Sequence, residues 1–144
     1  QNAEQPHLTL YYWEELMEIE FGDVLKKLEG IAGKIQPFSF QVKGVETFGN
    51  GGLDRVLHLT VDRSDSLAQL KKLCPWPNTK PFSPHITLAR MKNPNAFRVK
   101  KKKIMKLFKD IAFEVPCDHI RLYAEIDGVR QTPVKDFQFS LSPT

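Results

Sequence analysis

The sequence is poor in the residues from which many active sites are assembled. It has two cysteines among its 144 residues, Cys74 and Cys117. Their separation excludes the close pairing of a structural zinc site or a dithiol redox motif. They could form a single disulfide, but two buried thiols in a reducing compartment is the plainer reading. Four histidines, at positions 7, 58, 85 and 119, are scattered along the chain. They lack the His-Glu-x-x-His grouping of a metallohydrolase, and no glycine-rich nucleotide-binding loop is present. Neither a metal nor a cofactor is expected. No apolar run approaches the roughly 18 residues of a membrane span, and no charged-then-apolar leader marks secretion. The expectation is a cytoplasmic protein, away from membranes and monomeric.

Hydrophobic residues make up 41% and charged residues 26%, a globular balance that excludes an unstructured chain. The net charge of +4 is mild; it permits an anionic substrate without establishing one. The most basic stretch, Lys100 to Lys103 with Lys106 and Lys109, falls on an expected helix. A solvated face and a phosphate-steering surface explain it equally well.

Alternation of Leu8 and Leu10 with His7 and Thr9 predicts a strand over Pro6 to Trp13. Val24, Leu25, Leu28, Ile31 and Ala32 recur at helical spacing, predicting a helix from Phe21 to Ala32 that stops at Gly33. An extended run from Phe38 to Val45 puts Phe38, Phe40 and Val42 on one face. The turn Asn50-Gly51-Gly52 joins it to a return strand, Arg55 to Asp62. A second helix spans Asp65 to Leu73, capped by Ser64 or Asp65, with Leu67, Leu70 and Leu73 inward. Pro75, Pro77, Pro81 and Pro84 stiffen the approach to a strand at His85 to Arg90. A third helix fits Val99 to Ile111, with Ile104, Leu107, Phe108 and Ile111 inward. Two last strands, His119 to Ile126 and Lys135 to Leu141, flank an Asp127-Gly128 turn. Helices interleaved with antiparallel hairpins, and no dividing linker, predict one α+β domain.

Three segments share one pattern: His7-Leu8-Thr9-Leu10, His58-Leu59-Thr60-Val61 and His85-Ile86-Thr87-Leu88. Residues two apart on a strand project from the same face, so each segment offers an imidazole beside a hydroxyl. The imidazole moves a proton near neutral pH. The hydroxyl can donate to a phosphate oxygen as charge builds there. Opening a cyclic phosphodiester needs one group to deprotonate water and another to protonate the departing sugar oxygen. Two facing histidines suffice. An isolated H-x-T is weak, because a single strand histidine is more often packed or superficial than catalytic. Context selects His7 and His85, which each follow a proline; His85 is also followed by Arg90, a guanidinium suited to phosphate. His58 has neither feature, and His58→Ala is expected to change catalysis little.

The run Pro81-Phe82-Ser83-Pro84-His85-Ile86-Thr87-Leu88-Ala89-Arg90 closely resembles the second motif of the 2H phosphoesterase superfamily, and Pro6-His7-Leu8-Thr9-Leu10 resembles its first. Within it, the chain is most similar to the RNA 2′,3′-cyclic phosphodiesterases, also called the 2′-5′ RNA ligase family. The tail, Ile120 to Ala124, Gly128 and Thr132-Pro133-Val134, fits as well. The resemblance implies a two-lobed fold, with antiparallel sheets lining a central cleft and helices packed outside. It implies that His7 protonates the leaving 3′-oxygen, that His85 activates water, and that Thr9 and Thr87 hold phosphate oxygens while Arg90 adds charge. It further implies RNA ends or small 2′,3′-cyclic nucleotides as partners, a 2′-phosphate product, and ATP-independent 2′-5′ ligation in reverse. Family members place a strand and a helix before the first motif, and here only six residues precede His7. The expectation is a single such domain lacking that opening pair.

Tyr11, Tyr12, Phe48 and Phe82 are candidates to stack on a base, although aromatic residues in a small domain more often serve the core. Arg130 and Lys135 could touch phosphate, but solvated charge explains them. Trp13 and Trp76 read as structural. Two other functions remain open: the same machinery acting on 2′-5′ oligoadenylate or other cyclic nucleotide signals, and a non-catalytic nucleotide-binding module, against which the intact histidines and threonines argue.

Overall fold

The computed structural model describes residues 7–13, 18–50, 52–77 and 81–142. Its elements, in order, are α1 (Glu18–Ala32), β1 (Phe38–Asn50), β2 (Leu53–Val61), α2 (Asp65–Leu73), β3 (His85–Arg90), α3 (Pro94–Phe108), β4 (Ala112–Cys117), β5 (His119–Ile126) and β6 (Val129–Gln138). The strands form a four-stranded antiparallel sheet, ordered β3-β2-β1-β4, and a separate β5-β6 ribbon. This is the expected α+β class, with the two sheets unequal in size.

Each helix is set by its ends and by one apolar face. In α2, Ser64 accepts a hydrogen bond from the Leu67 N–H at 3.2 Å, and Lys71 and Lys72 occupy the last turn, where cations suit the helix dipole. Helix α3 begins five residues earlier than the apolar spacing indicated. Asn93 caps it by accepting from the Ala96 N–H at 3.1 Å, and Pro94 occupies the first turn, where no N–H is needed. Leu107 does not point inward as expected: it is 73% exposed. The inner stripe is instead Ile104, Met105 and Phe108, joined by Ile111 beyond the helix end.

Two hydrophobic cores result. Val42, Phe40, Val45, Leu57, Leu59, Val61 and Ile86 form one between the large sheet and α3. Val24, Leu28, Ile31, Leu122, Phe137 and Phe139 form the other between α1 and the ribbon. Helix α2 bridges them, since Leu67 joins the first and Leu70 the second. Val42 and Val45 are three apart on β1, yet both are buried. A bulge with Gly44 at φ 81° supplies the extra residue that turns both inward.

Three expectations at strand level need correction. The segment 7–13 is not a continuous strand: it makes one antiparallel bridge, Leu8 to Ile86. Leu8 packs on the sheet core, whereas Leu10 and Trp13 pack on the helix-and-ribbon core, so the chain must bend between them; Pro6 lies outside the described residues. Strand β4 was not anticipated. It lies on the sheet edge and contains Pro116, a residue that only an edge position tolerates. Strand β6 begins at Val129, directly after the Asp127-Gly128 turn, and ends before Leu141. The two thiols are free. Burial raises both thiol pKa values, that of Cys117 to about 11.

Candidate active site

Strand register brings the three H-x-T segments together. In the β2-β3 pair, Thr60 lies opposite His85, Leu59 opposite Ile86 and His58 opposite Thr87. The Leu8–Ile86 bridge continues the row on the other side of β3. Partners across antiparallel strands share a face. Leu8, Ile86 and Leu59 therefore point together into the sheet core. The flanking residues His7 and Thr9, His85 and Thr87, and His58 and Thr60 fall on the opposite face. His7 and His85 are thus on adjoining segments of one surface, and both are half-buried.

Simple alternation would place Arg90 on the core side, since it is three residues past Thr87. The register corrects this. Between the His58–Thr87 and Leu57–Ala89 pairs, β3 carries one extra residue, Leu88. Such a bulge inverts the alternation beyond it. Arg90 then lies opposite Val56, which shares its face of β2 with His58. The guanidinium is exposed at the end of the imidazole row.

The histidines differ in surroundings. His85 places Nδ1 2.9 Å from the Ser83 carbonyl oxygen. A carbonyl only accepts, so Nδ1 carries the hydrogen, and Nε2 is the basic nitrogen of the neutral ring. His7 packs against Tyr123 of β5, with ring centroids 5.3 Å apart. Tyr123 also engages Arg121, which makes a two-point ion pair with Asp136 at 2.7 and 3.0 Å. That pair holds the Asp136 carboxyl below the usual carboxylate range. Tyr123 had no sequence signal to mark it; it reaches His7 only because the ribbon lies alongside.

His58 is the unexpected member. It is 3% exposed, and burial holds its pKa below the ordinary imidazole value. Phe48 stacks on it with centroids 3.9 Å apart. The His85 ring meets both edge-on, 5.2 Å from His58 and 5.0 Å from Phe48. His58 Nδ1 donates to the Leu59 carbonyl at 3.3 Å. Its Nε2 and the Thr60 hydroxyl are buried without a protein partner among the described residues. Each such orphan costs about 1–3 kcal/mol, which marks the row as something other than a stability device. The third H-x-T motif was the available signal.

The aromatic candidates separate. Phe48 lies in the row. Tyr11 is drawn into a cluster with Trp13 and Trp76, at 4.8 and 5.5 Å, and its hydroxyl donates to the Pro77 carbonyl at 2.9 Å. Phe82 packs partly on the sheet core, and the Lys71 ammonium lies 5.4 Å from its ring centre and 4.9 Å from that of Tyr11. Among the described residues, no three metal-ligating side chains come together, and no helix is long and apolar enough to cross a membrane.

Comparison with known proteins gives the family and the fold. A family model described as the 2′-5′ RNA ligase superfamily matches residues 1–128. Two curated proteins named RNA 2′,3′-cyclic phosphodiesterase are similar in sequence. That of Bacillus subtilis (strain 168) is 32% identical over 96 residues, covering 58% of this chain and 50% of the relative. That of Aquifex aeolicus (strain VF5) is 31% identical over 98 residues, covering 60% and 52%. These matches span about half the length of the curated relatives. Among solved structures, a protein of Thermus thermophilus superposes with TM-score 0.68 at 23% identity, over 96% of this chain and 80% of its own. E. coli LigT, solved in complex with 3′-AMP, superposes with TM-score 0.56 at 20% identity, over 94% and 77%. Both likenesses speak for the fold.

Proposed function

Because the chain belongs to the 2′-5′ RNA ligase superfamily, we propose that it opens 2′,3′-cyclic phosphates on RNA ends to leave 2′-phosphates. The observation that carries this reading is the Leu8–Ile86 bridge. It sets two imidazole-and-hydroxyl pairs from distant parts of the sequence on one face of adjoining segments. The curated relatives are named for this activity.

The chemistry follows from the assignments. His85 Nε2, basic because Nδ1–H is committed to Ser83, takes a proton from water. The water oxygen bonds to phosphorus, and the bond from phosphorus to the 3′-oxygen breaks. His7, in its charged form, gives that oxygen a proton. Hydroxyls of Thr9 and Thr87 donate to the non-bridging oxygens as negative charge grows, and Arg90 adds its field. Phe48 is the ring best placed to meet a base. The same steps, with an RNA 5′-hydroxyl in place of water, join two ends through a 2′-5′ linkage without ATP.

The test is a single incubation with a 2′,3′-cyclic mononucleotide in the presence of EDTA. A 2′-nucleotide product is expected. A 3′-nucleotide, or binding with no turnover, would refute the assignment. A short RNA with a 2′,3′-cyclic end, set against a 2′-5′ linked oligoadenylate, identifies the preferred substrate; the RNA end is expected to turn over faster.

A further inference from the structure

We propose that His58 is a positioning residue for His85, acting as an uncharged aromatic wall that fixes the orientation of the neighbouring imidazole. The inference rests on the functional reading above, in which His85 is the base. Four contacts carry it. His58 is sandwiched by register between Glu46 of β1 and Thr87 of β3. Its own Nδ1–H is tied to Leu59, so its ring cannot turn freely. Phe48 covers it at stacking distance. The His85 ring lies beside both, steeply inclined to their planes.

An imidazole on a strand can rotate about two side-chain bonds and exchange its nitrogens by a ring flip. For His85 the flip is consequential: it would turn Nε2 away from substrate and break the Nδ1–H bond to Ser83. A packed pair of rings along one side limits how far the imidazole can swing, and the Nδ1–H bond to Ser83 then selects the unflipped orientation. The wall must itself be uncharged, since a second imidazolium beside His85 would oppose protonation of the base during the reaction. Burial supplies that condition, because the His58 side chain is almost wholly removed from solvent. The charged and titratable groups around it are Glu46, exposed on the partner strand, and His85 itself.

The proposal treats the His58 ring, and not its unpartnered Nε2, as the working part. His58→Phe keeps a ring and removes the nitrogen. His58→Ala and His58→Gln remove the ring. Two readouts are compared for the three variants and the unmodified chain. One is the ¹⁵N spectrum of the His85 imidazole, recorded at about pH 8, above the ordinary imidazole range. The other is turnover of a 2′,3′-cyclic mononucleotide.

The unmodified chain is expected to show His85 with its hydrogen on Nδ1. Contrary to what the sequence alone suggested for His58→Ala, that variant and His58→Gln are expected to shift His85 to a mixture of tautomers and to lower kcat about tenfold, with KM within about twofold. His58→Phe is expected to restore both the tautomer and most of kcat. If the ring-lacking variants fold and keep the His85 tautomer and kcat, the wall has no function. If His58→Phe fails like alanine while remaining folded, the nitrogen is the working part and the proposal is wrong. The spectrum needs no substrate, so a chain inactive on cyclic phosphate would sink the functional reading while the tautomer result still judges the wall.

Discussion

His85 and His7 stand on the same face, but they are held in different ways. His85 lies on β3, paired to β2 from Thr60 through Val56, with a committed Nδ1–H and two rings packed beside it. The segment bearing His7 is bridged to the sheet through Leu8 and Ile86 and leans on Tyr123. The comparison separates two requirements of acid–base catalysis. A base must present one particular nitrogen. A proton donor in its charged form has hydrogens on both nitrogens and tolerates either orientation. The histidine with one nitrogen committed to a carbonyl is the one assigned as base, and the one that leans on Tyr123 is assigned as donor.

The strongest way to break this comparison is to remove each histidine in turn. His7→Ala and His85→Ala are each expected to lower kcat by about 10²- to 10⁴-fold, and the residual pH profiles should differ. The unmodified chain should fall off on both sides of neutrality, because the proposed mechanism needs His7 charged and His85 neutral. His7→Ala should lose the alkaline fall and His85→Ala the acid fall. Loss of the same limb in both variants would show that the two roles are misassigned.

A substitution of one type, placed in two regions, tests how differently they are packed. At Gly49, beside the Phe48 stack, a Cβ would lie 1.8 Å from the Leu53 carbonyl oxygen. Gly49→Ala must push β1 and β2 apart, and a loss of about 4 kcal/mol or more is expected in denaturant unfolding. At Gly22 in α1, a Cβ meets nothing within 4 Å. Gly22→Ala should stabilise by about 0.5–1 kcal/mol through helix propensity. Equal effects at the two sites would mean that the hairpin approach is not rigid.

The bridge itself can be cut from either side. Ile86 is 7% exposed within the sheet core, so Ile86→Ala should cost about 3 kcal/mol. Leu8 is only half-buried on the same core. Leu8→Ala should cost about 1 kcal/mol, yet lower kcat about tenfold, because it loosens the donor. Thermal melts and steady-state kinetics on the two variants separate stability from positioning. A Leu8→Ala chain with full activity would mean that the bridge does not hold His7.

Much of this was legible because strand alternation and motif chemistry reinforce one another. The bounds of α2 and β3 are those that Ser64, the leucine stripe and the proline approach indicate. That the segments bearing His7 and His85 adjoin on one face is in keeping with the motif resemblance. What was hidden depends on register, which a single sequence does not carry. The Leu88 bulge turns Arg90 to the imidazole face, and the β1-β2-β3 alignment moves His58 from a spare motif into contact with His85. Tyr123 was invisible for a related reason: its contact with His7 crosses between the ribbon and the opening segment. Leu107 misled because it fits the apolar spacing, whereas the packed stripe runs through Met105 instead.

The smallest expected effect concerns stability in acid, and it sharpens the contrast from the side of His58. Burial holds this imidazole below its ordinary value of 6.5 in the folded chain. Between the lowered value and the ordinary one, the unfolded chain binds a proton that the folded chain refuses. The contribution of neutral His58 is therefore fully present above about pH 6.5, and it is lost as pH falls toward the folded value. His58→Phe has no proton to bind in either state. Its Tm should fall less than that of the unmodified chain between about pH 7.5 and about pH 5, while the two respond alike above neutrality. Parallel Tm curves across the whole range would mean that His58 takes up its proton in the folded chain as readily as in water. It could not then serve as an uncharged neighbour to the base.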